Sequence, residues 1–343
     1  MNYFDIKAVS NSSLSYINPE SGGNPRLFRK FLDGLLDEKP SKSFELGTLI
    51  HEELLEPGKL DIVPDNTPGP KTQDILDALW VRLYQDVPEE DMAAMDRTVS
   101  LSDLGEGTWE AVIPADFYPK YALQTKINRI VKDGTEYWKA LFTHRGKKIV
   151  DVATWHIVQG CIESIKAHPV AEALICGNAF GHADEALNEI EIQFNMDWPL
   201  RDSDSFVEIP VKGKLDSILL NHKEKTITLV DLKTTASPLG RFEETVAKYA
   251  YYRQLAWYRM LLESAYPEYE VTEIYIVAVQ TNKEYPAEVF KIDDSYLQIG
   301  FEDYGILLDR LAYHFHTNNW GNSMETQMGM IQNLQYRDNP SDS

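Results

Sequence analysis

Two alternating runs, GKLDSILLN at 213–221 and TITLVDLKTT at 226–235, flank the polar stretch HKEK. Aliphatic and β-branched residues at period two on either side of a polar centre predict a β-hairpin. A turn centred between Lys223 and Glu224 sets Asp216 opposite Asp231. Side chains alternate along a strand, so Lys233 shares the face of Asp231 and Leu232 points the other way. Two facing aspartates repel, and a lysine or a divalent cation held by oxygen ligands relieves that repulsion. A solvated hairpin face carrying an incidental Asp/Lys pair accounts for the same pattern equally well.

The rest of the chain is read by the same periodicities. NPRLFRKFLDG places Leu27, Phe28, Phe31 and Leu32 at helical spacing before Gly34. FELGTLIHEELLE (44–56) predicts a helix stopped by Pro57-Gly58, with His51 aligned with Gly47 and Leu55 toward the core edge. Between 60 and 150 only two helices are legible, near 74–85 and 120–143. WHIVQGCIESIKA predicts a helix up to His168-Pro169, NEIEIQFNM (188–196) a strand, and EETVAKYAYYRQLAWYRMLLESA (243–265) one long amphipathic helix. VTEIYIVAVQT and AEVFKID supply two strands and DSYLQIGFEDYGILLDRLAYHF a last helix. The order of elements predicts an α/β fold, a central mixed β-sheet flanked by helices, with a helical N-terminal region and an insertion. The expected division is 1–60 as the N-terminal helical part, 61–150 as the insertion, 151–325 as the core and 326–343 as a disordered tail.

Composition narrows this little. The 343 residues are 43% hydrophobic and 25% charged, as in a soluble globular protein. No apolar run approaches the roughly 18 residues of a membrane span, and the N-terminus lacks the pattern of a secretory signal, so a cytoplasmic location without membrane attachment is expected. The two cysteines, Cys161 and Cys176, are too few for a four-thiolate site and are expected as buried apolar thiols. A net charge of −21 is unlike that of a nucleic-acid binder. Residues 115–150, however, carry eight Lys/Arg against three acids, net +5. That segment is either a phosphate-facing surface or an ordinary solvated helix face. The His314/His316 pair has no third ligand and is expected to be structural.

Gln254 and Tyr258, four apart, project from one helix face, with Tyr251 a turn before Gln254. Taken in order, the chain offers His51 in an early helix, Gly213-Lys214-Leu215-Asp216, Asp231-Leu232-Lys233, and Gln254 to Tyr258. This set resembles the PD-(D/E)XK nuclease superfamily, in its RecB-like branch, whose restriction-endonuclease-like core is the mixed sheet expected above. The stretches NSSLSYINPESGGNPRLFRKFLDG and ELGTLIHEELLEP resemble the opening of RecE-type phage and prophage exonucleases. The likeness covers roughly 10–60 and 160–320. Iron–sulfur relatives carry four cysteines, which sets this chain apart from them.

The resemblance implies a metal-dependent exonuclease of linear duplex DNA, 5′ to 3′ and of recombination type. Asp216 and Asp231 would hold Mg²⁺ or Mn²⁺, with the Leu232 carbonyl and His51 as further ligands. A glutamate on the preceding strand, Glu189 in preference to Glu191, would lie near the metal. Lys233 would steer the attacking water and offset charge, and Gln254 and Tyr258 would support the site or the DNA backbone. DNA ends, a ring-shaped homo-oligomer and a single-strand annealing protein are the partners it implies. A structure-specific or restriction-type endonuclease on the same core, and a non-catalytic nucleic-acid-binding protein that kept the fold, are the competing readings.

Overall fold

In a computed structural model of the chain, residues 3, 6–36, 42–58, 60–63, 68–84, 87, 99–143, 148–175, 183–201, 204–282 and 284–330 are described. In chain order they form α1 (Pro25–Leu32), α2 (Lys42–Leu55), β1 (Leu60–Val63), α3 (Pro70–Tyr84), α4 (Glu106–Glu110), α5 (Leu123–Thr143), β2 (Lys148–Asp151), α6 (Val152–Ala167) and α7 (Pro169–Ile175). Then follow β3 (Glu185–Pro199), β4 (Phe206–Asn221), β5 (Thr226–Thr235), α8 (Phe242–Lys248), α9 (Tyr251–Ala265), β6 (Glu270–Gln280), β7 (Ala287–Lys291), α10 (Asp294–Thr317) and α11 (Met324–Gln327). The chain divides into two compact units, Met1–Ser41 with Ser164–Ser343, and Lys42–Glu163. Among the described residues no helix is long and apolar enough to cross a membrane.

The first unit is built on a five-stranded mixed sheet in the order β3-β4-β5-β6-β7, flanked by helices, the α/β fold that the pattern predicts. β3, β4 and β5 are successive antiparallel neighbours, and β5 pairs with β6 in parallel. Parallel neighbours need a crossover, which α8 and α9 provide. The β4–β5 register, Ser217 on Val230 through Asn221 on Thr226, is that of a turn centred between Lys223 and Glu224. Leu255, Trp257, Leu261 and Leu262 of α9 and Leu307, Leu308 and Leu311 of α10 close the core over the sheet. There the Trp257 indole donates to the Lys212 carbonyl at 3.1 Å.

Several expectations are corrected. The helix expected over 243–265 is two helices, parted at Tyr249-Ala250, where Ala250 takes a left-handed φ of 50°. Alanine is a strong helix former, so no local signal marks the break. β4 begins at Phe206, seven residues before the alternating run that revealed it. Pro210 obscures that half: it cannot donate, but it lies where its carbonyl accepts from Val9 N at 2.7 Å. The helical pattern read up to Pro169 also resumes as α7, with Pro169 at its first position. The far tail, 331–343, and Cys176 lie outside the described residues; part of the tail expected from 326 belongs to α11.

The second unit has its own core of Ile75, Leu76, Leu79, Trp109, Ile130, Tyr137 and Trp138. Tyr137 Oη donates to Asp77 at 2.8 Å and Trp138 Nε1 to the Val99 carbonyl at 2.7 Å. β1 and β2 pair in parallel within it. Arg129, Lys132 and Lys139 lie on the exposed side of α5 together with Asp133 and Glu136. His51 lies on α2 of this unit, half-buried.

Candidate active site

The β4–β5 ladder stops at Ser217 on Val230, while β5 stays paired with β6 to Thr235 and β4 stays paired with β3 to Phe206. The sheet therefore forks one residue later, at Asp216 and Asp231. Where β5 would have donated to a β4 carbonyl, Leu232 N donates to the Asp216 carboxylate at 2.7 Å. A strand residue directs its N–H and C=O to the same neighbour, so the Leu232 carbonyl also belongs to the edge that faces the fork.

Asp231 is 1% exposed on a strand buried on both faces, a position that an ionised carboxylate holds only when paired. Lys233 Nζ lies 2.6 Å from its Oδ2, and the Tyr251 ring covers the ammonium with its centroid 5.0 Å away. Burial alone would lower the Lys233 pKa, but the charges of Asp231 and Asp216 outweigh it and hold the ammonium above its ordinary value. On α9, Gln254 Nε2 donates to Tyr258 Oη at 2.8 Å. Burial, with Asp231 and Asp216 nearby, raises the Tyr258 phenol well above its ordinary pKa, so it stays protonated. Gly213 explains how α9 comes this near: a Cβ there would lie 2.3 Å from Leu261 Cδ1 and 3.5 Å from Tyr258 Cε1.

Glu189 sits across from Asp216 on β3, with a left-handed φ of 54° in the middle of a strand. Core-facing positions run Leu187 then Ile190 on β3 and Leu215 then Ile218 on β4, a three-residue step in both strands at the same point. This step turns Glu189 toward Asp216, and their carboxylate oxygens lie within 4.8 Å. A non-glycine residue in this conformation costs about 1–3 kcal/mol, and such strain concentrates at functional sites. Lys214 Nζ pairs with Glu189. Glu191, two register pairs along, is exposed. The chain thus gathers Asp216, Asp231, Leu232, Lys233, Gln254, Tyr258 and Glu189 around the fork. Lys214 was not singled out by motif, though it lies inside Gly213-x-x-Asp216. Tyr251 stood out only for its spacing from Gln254.

Two carboxylates this close, beside a strand edge presenting a carbonyl, make an all-oxygen donor set of the kind that hard divalent cations accept. A lysine paired with one buried carboxylate, under the charge of a second and covered by an aromatic ring, is suited to work on a phosphate ester. The fold and site together define a PD-(D/E)XK-type domain. Residues 120–328 match the family described as PDDEXK-like domain of unknown function (DUF3799), and the chain belongs to that family. No curated protein matches it. Among solved structures, a protein from Eubacterium rectale named "Putative exonuclease" aligns at 10% identity and a TM-score of 0.47, over 96% of this chain and 91% of that one. A protein named SSO0001 aligns at 17% identity and a TM-score of 0.26, over 70% of this chain and 87% of that one. Neither overlap is close enough to bear on fold or function.

Proposed function

We propose that the chain is a metal-dependent deoxyribonuclease acting on the ends of linear duplex DNA. The observation that carries this is the fork, where Lys233, held on Asp231, lies beside the strand edge from which Leu232 N reaches Asp216. Asp216 and Glu189 would hold Mg²⁺ or Mn²⁺ with the Leu232 carbonyl, and Asp231 and His51 would join them as the motif resemblance implies. When bound, a divalent cation neutralises phosphate charge and makes water more acidic. Lys233 orients the attacking water and offsets the charge that develops on the phosphoryl oxygens. Tyr258, its oxygen accepting from Gln254, keeps its own proton available to donate. Exonucleolytic action, 5′ to 3′ polarity, a ring-shaped oligomer and an annealing partner rest on the RecE resemblance alone.

Incubation of end-labelled linear duplex and covalently closed circles with Mg²⁺ or Mn²⁺ tests this reading. Linear duplex should be degraded to nucleotides while circles stay intact, and Asp216→Ala together with Asp231→Ala should abolish the reaction. Rapid linearisation of circles would favour the endonuclease reading, and an inert wild-type chain would favour the non-catalytic one.

A further inference from the structure

We propose that Tyr249 is a stacking platform for the base of the nucleotide adjoining the phosphate at Lys233, an inference that rests on the nuclease reading above. The geometry is a continuous path out of the fork. Lys233 Nζ lies 5.0 Å from the Tyr251 ring centroid. The Tyr251 ring stacks on that of Tyr249 with centroids 5.8 Å apart and planes 21° from parallel. Lys248 Nζ lies 5.1 Å from the Tyr249 centroid. Tyr251 is half-buried, whereas Tyr249 is 56% exposed.

The backbone is bent to make this stack. In an unbroken helix, residues two apart do not face each other, so Tyr249 and Tyr251 would point away from one another. The left-handed Ala250 between them brings the rings together. A non-glycine residue in that conformation is strained, and the outer ring, left open to water, recovers little of that strain by burial. A ligand that completes the stack gives the break a purpose. A nucleobase fits: every base has a π-face, so an aromatic shelf holds a strand without reading its sequence. Lys248, an exposed side chain whose ammonium lies over the outer ring, would move off it to the neighbouring backbone phosphate as the base takes its place. The shelf would set the strand so that the phosphate beside it rests at Lys233.

The test uses linear duplexes with 2-aminopurine at each of the terminal positions in turn, bound to the full chain carrying Lys233→Ala with divalent cations chelated, so that nothing is cut. Stacking on Tyr249 quenches the probe at one position. Tyr249→Ala should abolish that quench and weaken binding roughly 5- to 150-fold, while Tyr249→Phe preserves both. An abasic site at that position should weaken the parent equally, and Tyr249→Ala should then add nothing, a coupling that a merely structural role would not produce. Matching melting curves show that the variants are folded, and Tyr249→Leu serves where Tyr249→Ala does not fold. DNA bound with an unchanged quench by Tyr249→Ala overturns the platform and leaves the nuclease reading standing. A chain that neither binds duplex nor, with Lys233 restored, cuts it overturns both.

Discussion

Lys233 is the residue whose chemistry is most exposed to test. It is held by Asp231 and sheltered by Tyr251, so its charge is fixed in place before any substrate arrives. Lys233→Ala should slow single-turnover cleavage about 10²-fold or more, the scale of losing one electrostatic stabiliser, with DNA affinity largely kept. Lys233→Arg keeps the charge but not its shape, and should rescue little; cleavage by Lys233→Ala at the parental rate would remove the lysine from the mechanism. His314 gives a prediction about stability. It is fully buried, its Nδ1 donates to the Asn319 carbonyl at 2.6 Å, and its Nε2 has no hydrogen-bond partner among the described residues. Burial lowers its pKa, with the Asn319 carbonyl and the Glu325 charge opposing. The folded state therefore disfavours its proton, and the stability it contributes is full above the unfolded pKa of about 6.5 and lost as pH falls through the lower folded value. Denaturant unfolding at pH 7 and pH 5 should show an acid loss that is smaller in His314→Gln; equal losses would assign the acid sensitivity to other groups. The sequence already marked His314 as structural, because no third ligand accompanied it.

At the scale of elements, Gly300 sets the spacing of α9 and α10. A Cβ there would lie 2.3 Å from the Tyr252 carbonyl oxygen and 2.8 Å from Ala256 Cβ, contacts with backbone and core that cannot simply rotate away. Gly300→Ala should lower stability by about 1–3 kcal/mol, seen as a lower denaturant midpoint. It should slow cleavage too, since α9 carries Gln254 and Tyr258; an unchanged midpoint would mean that the two helices separate freely. The elements legible in the sequence were those whose signal is local: the hairpin and its register, β6, β7, α3, α5 and α10. Those misread depend on distant partners. Ala250 takes a left-handed conformation that its helix propensity opposes, and the first half of β4 is a strand because β3 and Val9 pair with it. The crease at Glu189 did leave a trace, since alternation in NEIEIQFNM begins at Ile190 and is out of step with Leu187. The trace points to function only when the matching step on β4 is placed across from it.

For the whole molecule, a site made of carboxylates should respond to a cation globally. Anything that binds the folded state alone stabilises it by mass action, about 2.7 kcal/mol at a hundredfold excess over Kd. Mn²⁺ should raise the thermal midpoint, and Asp216→Ala should remove the rise; an equal rise in that variant would put the ion elsewhere on a chain of net charge −21. Membership in the PDDEXK-like family could be anticipated from four short motifs in order. The fork could not, because where two strands part depends on what fills the space between them.

Part of what fills it comes from the far end of the chain. Val9 pairs with Val211 on the β4 edge that β5 leaves, and Lys212 Nζ reaches the carbonyls of Tyr3 and Ile6, the latter 206 positions away. Hairpins β3–β4 and β4–β5 join neighbours and form quickly, whereas contacts between residues so far apart close slowly. During synthesis the segment that carries Val9 is made first and can pair only after β4 has emerged. Until it closes, β4 presents an open row of backbone donors and acceptors, a template for pairing with another chain. Paired with β4, the segment that carries Val9 thus also works as a guard, since the row it covers is not open to a second chain.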